Sequence, residues 1–150
     1  MATTNPEIAS PALEPYSIDL EFDVLPDTQA DVQQLRTRSK YRKDWYERVY
    51  WEVYQKGKRP AEPLELAAIY GVRHSSQQPD RINLWYSFKP LVDGLIRAGV
   101  IKDDAPRYLA SEHYSWEWVP KGEAWVSLRV VEIRDPQDKC GKSRPQPVGR

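Results

Sequence analysis

Pro90 falls inside an apolar-periodic stretch, residues 79–104, and it decides how that stretch can fold. Proline has no backbone N–H, and its ring meets the carbonyl four residues back, so it suits only the first turn of a helix. The spacing therefore predicts a helix that begins near Ser87, its N-cap, and runs to Ala98. Leu91, Val92, Leu95 and Ile96 would form its buried stripe. Residues 80–86 become an irregular lead-in in which Asn83 bonds locally. Gly94 costs about 1 kcal/mol against alanine in such a helix, which implies close packing on a sheet. Gly99 supplies the C-terminal stop, and Val100–Ile101 anchors the turn that presents Asp103 and Asp104.

Around this stretch the periodicities are those of a mixed domain. Ile18, Leu20, Phe22 and Val24 alternate with Asp19, Glu21 and Asp23, the pattern of a half-buried strand closed by Pro26. Residues 26–39 read as a polar connection. From the candidate N-cap Ser39 to the stop at Gly57, Tyr41, Trp45, Tyr46, Val49, Tyr50, Val53 and Tyr54 recur at helical spacing, with Trp51 off the main stripe. A strand is expected over 63–73, with Leu64, Leu66, Ala68 and Tyr70 on one face, then a loop over 74–79 in which His74 is exposed. Tyr114, Trp116 and Trp118 share a strand face, Pro120-Lys121-Gly122 turns the chain, and 124–133 returns as a strand. The order predicts an α+β fold: a small mixed sheet of about four strands with two main helices packed on it. It would span residues 16–134, between a proline-bearing tail at 1–15 and a basic tail at 135–150.

Length and composition narrow the function. The chain has 150 residues, enough to bury a core as one domain, and its one cysteine, Cys140, excludes an internal disulfide framework. A reducing cytoplasmic location, in a bacterial host or phage-encoded, is the expectation, with no membrane partner. Formal net charge is zero, which argues against a histone-like polycation, but it is unevenly spread. Residues 36–59 hold nine Lys/Arg against Asp44, Glu47 and Glu52, a local net of +6. A block of that kind either solvates a helix or holds phosphates. Its candidate DNA contacts are Arg36, Arg38, Lys40, Arg42, Lys43, Arg48, Lys58 and Arg59.

Asp80 follows one predicted strand and Asp103–Asp104 precedes another, with the helix between. In a helix-on-sheet unit both points can fall at one end of the layer. Carboxylates gathered there repel unless a cation bridges them, and oxygen donors without a His/Cys framework suit Mg²⁺ or Mn²⁺. Lys89 can face the same site and stabilise a phosphate. The alternative is that these acids are solvated helix caps.

The segment as a whole resembles the RusA-type Holliday-junction resolvases of phages and prophages. The resemblance lies in Asp80-x-x-Asn83-Leu84, Lys89, Asp93-Gly94-Leu95, Ala98-Gly99-Val100 and Asp103-Asp104. It implies a small homodimer that binds four-way DNA junctions and cuts them by Mg²⁺-dependent phosphodiester hydrolysis. On that resemblance Asp80, Asp103 and Asp104 would hold metal, and Lys89 would act in catalysis with Asp80 and Asp104. Asn83 and Asp93 would support them. Ile82 stands where such proteins carry a second aspartate before the asparagine, and counting back from Lys89 instead places Asn83 and Trp85 on the two aspartate positions. Two functions of different class follow: a metal-dependent endonuclease for branched DNA, or a catalytically reduced module of the same build that grips branched DNA or a protein. A purely structural or regulatory partner protein is a third.

Overall fold

The computed structural model describes residues 14–26 and 35–134, with the side chains of 35–38 outside that description. The expected tails, 1–15 and 135–150, lie outside the described residues except for Glu14 and Pro15. The elements in chain order are β1 (Ser17–Phe22), α1 (Leu35–Lys56), β2 (Ala67–Ser75), α2 (Arg81–Arg97), β3 (Leu109–Trp118) and β4 (Trp125–Glu132).

The four strands form one mixed sheet in the order β1-β4-β2-β3. β4 runs antiparallel to both β1 and β2, whereas β2 and β3 are parallel and joined through α2. The alternation read in β1 holds: Ile18, Leu20 and Phe22 are buried, opposite Val130, Leu128 and Val126 of β4. The two helices cover that face, and Trp45, Val49 and Val53 of α1 join Leu84, Phe88, Leu91 and Leu95 of α2 in one core.

α2 departs from expectation. It starts at Arg81, six residues before Ser87, and runs straight through Pro90. Asp80, with extended backbone (φ −71°, ψ 170°), is the N-cap, and its carboxylate accepts from the Asn83 N–H. An interior proline costs about 3 kcal/mol. Here Leu84, Phe88, Leu91, Val92 and Leu95 are all buried along the same helix, and full burial of each is worth about 1.5–3 kcal/mol. The stripe outweighs the proline. Ser87 is a buried residue rather than a cap, and its hydroxyl donates to the Leu84 carbonyl at 2.7 Å.

Four other expectations change. Gly94 packs on the other helix instead of the sheet: a Cβ there would lie 2.9 Å from Val49 Cβ. The β2 strand begins at Ala67, and Leu64 instead forms an isolated parallel bridge with Ile101. His74 belongs to β2 and is buried, because Trp125 lies flat on it at 3.9 Å with 1° between the planes. The β3–β4 connection is also no hairpin, since β2 lies between those two strands. Gly99, at φ +81°, does end α2 as expected.

Candidate functional site

Lys89 and Asp93 lie one turn apart on α2, and the chain after Gly99 brings Asp104 back to them. Lys89 Nζ donates to Asp104 Oδ2 at 2.9 Å and to Asp93 Oδ1 at 3.2 Å. The turn is fixed from beneath by Val100 and Ile101, both buried, and from within by Asp103, whose Oδ1 accepts the Asp104 N–H at 2.8 Å. The hydrogen bond from Lys89 holds the Asp104 carboxyl below the usual carboxylate range. Partial burial works against the Lys89 ammonium, but the bonds to Asp104 and Asp93 prevail and raise its pKa. An ammonium has three donors. Two are used here and the group remains half exposed, so one is available to a phosphate oxygen.

Lys89 and Asp104 also line a cavity of about 210 Å³ with Trp85, Val92, Glu112 and Tyr114. β3 supplies the last two, facing the helices because Glu112 pairs with Ile69 and Tyr114 with Gly71 across β2. The Tyr114 hydroxyl donates to Glu112 Oε1 at 2.7 Å. Burial, reinforced by that carboxylate, pushes the Tyr114 pKa well above its ordinary value. The ring stacks on Phe88 at 4.3 Å and meets the edge of Trp85 at 4.9 Å. Sequence reasoning missed Glu112 and Tyr114 as site residues. Only the β2–β3 register, a non-local property, turns them toward Lys89.

Asp80 stands apart. It precedes Lys89 by nine positions along the sequence, about 13 Å along a helix axis at 1.5 Å per residue. Both of its oxygens serve the helix start, Oδ1 accepting from Asn83 N at 2.8 Å and Oδ2 from Asn83 Nδ2 at 3.2 Å. Ile82, in the first turn, is 73% exposed. The structure thus brings Lys89, Asp93 and Asp104 together, with Asp103 adjoining, and leaves Asp80 and Asn83 at the helix start. The Lys89 ammonium lies between Asp93 and Asp104, bonded to both, and no group of three or more Asp, Glu, His or Cys side chains gathers among the described residues.

The basic block lies along α1 and the turn after it. Lys40, Arg42, Lys43, Arg48, Lys58 and Arg59 are all exposed. None is within ion-pair distance of a carboxylate among the described residues, although Lys58 is near enough to Asp19 to favour its charged form. Arg48 lies over the Trp45 ring at 5.5 Å from its centroid. Arg36 and Arg38 belong to the first turns of α1, and their side chains lie outside the described residues. Of the aromatics that recur at helical spacing, Trp45 is buried, but Tyr50 and Tyr54 join Trp51 among the exposed ones.

Among known proteins, no family model and no curated sequence matches this chain. No helix among the described residues is long and apolar enough to cross a membrane.

Proposed function

We propose that this chain is a branched-DNA-binding protein of RusA-like build, in which the grip on the sugar-phosphate backbone is kept and metal-dependent cutting is reduced. One observation carries this reading: Lys40, Arg42, Lys43 and Arg48 of α1 are exposed, and no carboxylate among the described residues lies within ion-pair distance of them. Cations left in water on one helix are free to replace counterions on DNA. Their contacts with phosphates position a duplex without reading its sequence. Lys89, on the neighbouring helix, would take a further phosphate oxygen with its remaining donor. A homodimer would present two such faces to the arms of a four-way junction, matching one symmetric object to another.

A second reading, the Mg²⁺- or Mn²⁺-dependent resolvase, is favoured by one specific contact. Lys89 and Asp104, the lysine and the acid that such enzymes set together, are 2.9 Å apart, beside a cavity that Glu112 also lines. The position of Asp80 weighs against it. Incubating the protein with a synthetic four-way junction and with linear duplex, each with and without Mg²⁺, separates the two. Junction-selective binding that weakens with salt and is indifferent to Mg²⁺, with no strand scission, is the expected result. Scission that disappears in Asp104→Asn would establish the resolvase instead.

A further inference from the structure

We infer that the outer side of α1 is a track for single-stranded nucleic acid, so that the DNA held by this chain includes an unpaired segment beside the branch. This rests on the branched-DNA reading and specifies its substrate. The core side of α1 is supplied by Trp45, Val49 and Val53, all buried. The helix nevertheless carries three further large rings in water: Tyr50 is 42% exposed, Trp51 55% and Tyr54 65%. They are arranged with one another. The Tyr50 and Tyr54 rings are within 9° of parallel at 6.4 Å, and Trp51 meets them edge-on at 5.8 and 5.5 Å.

Tyr46 extends the row by one turn, with the Arg97 guanidinium 4.4 Å from its centroid. A cleft of about 500 Å³ at the Tyr46 end is lined in part by Arg42 and Lys89, and one of about 420 Å³ at the Tyr54 end by Arg59. Tyr46 to Tyr54 spans about 12 Å of helix, enough for a few bases stacked about 3.4 Å apart. Rings with cations at both ends of the row supply what an unpaired strand needs: π-faces for bases of any sequence and positive charge for the backbone. A second copy of the chain fits less well. An antiparallel two-fold contact along this helix would set Arg42 of one copy against Arg59 of the other, like charge against like.

Binding of a labelled short oligothymidylate, read by fluorescence anisotropy, tests the track. The full chain should bind it, Tyr50→Ala and Tyr54→Ala should each weaken binding by roughly tenfold, and Tyr54→Phe should leave it unchanged. No binding, or alanine variants that bind as well as the parent, overturns the inference. A fully paired four-way junction is measured alongside. If the junction binds but oligothymidylate does not, the track is wrong and the branched-DNA reading stands. If oligothymidylate binds and the junction is no better than duplex, the branched-DNA reading fails and the track stands. Alanine variants that abolish self-association in sedimentation while leaving oligothymidylate binding intact would make this face a dimer contact and overturn the inference.

Discussion

Lys89 is held by two carboxylates from different parts of the chain, and that coupling has a definite pH signature. The folded pKa of Asp104 lies below its unfolded value, so its contribution is present above about pH 4 and is lost as pH falls through the lower folded value. The folded pKa of Lys89 lies above its unfolded value, so its contribution is present below about pH 10 and is lost as pH rises through the folded value. Both side chains are more than a third exposed, and solvent screening keeps the pair's net effect below about 1 kcal/mol. The sharper readout is therefore site-specific. In Lys89→Met, an NMR titration should find the Asp104 carboxyl shifted up toward the ordinary carboxylate value. An unchanged titration would show that Lys89 does not hold it. Gly71 makes a different residue-scale prediction. A Cβ built there runs into the Phe88 ring, and Phe88 is fully buried. Gly71→Ala should cost about 1–3 kcal/mol by overpacking, measurable by denaturant unfolding.

Helix α2 shows why an element's type is legible in the residues while its extent is not. The local cost of Pro90 is visible from one residue. The compensating burial of Leu84 and Phe88 depends on where the sheet lies, which no local pattern reports. The start signal is present in Asp80 followed three residues later by Asn83, a capping arrangement that can be mistaken for part of a catalytic cluster. The cap can be tested directly. Asp80→Ala should destabilise the protein by about 1 kcal/mol, whereas Asp80→Asn, a comparable cap, should be nearly neutral. Equal destabilisation by the two in thermal or chemical unfolding would remove Asp80 from the capping role. β1 and the core side of α1 are legible because their alternation and helical period are strictly local. His74 is not, since its burial depends on Trp125 meeting it across β2–β4 pairing. The insertion of β4 between β1 and β2 is hidden for the same reason.

At the scale of the whole molecule, the architecture puts the proposed work on the helical layer. The far side of the sheet carries its own neutralised groups, such as Arg129 paired with Asp19 at 2.7 Å. The helical side instead combines Lys40, Arg42, Lys43 and Arg48 of α1, none within ion-pair distance of a carboxylate among the described residues, with the Lys89 cleft on α2. The zero net charge conceals that division. The spacing already sets Lys89 near Asp103 and Asp104, whereas only the sheet supplies the positions of Glu112 and Tyr114. The most direct test of the account is the salt dependence of four-way junction binding by the parent and by the double variant Arg42→Gln/Lys43→Gln. The parent should prefer the junction to linear duplex, with an affinity that falls steeply with added salt. The variant should bind more weakly, with a salt slope shallower by roughly two, one unit for each phosphate left unneutralised. Identical affinity and slope in parent and variant, or no preference of the parent for the junction, would contradict it.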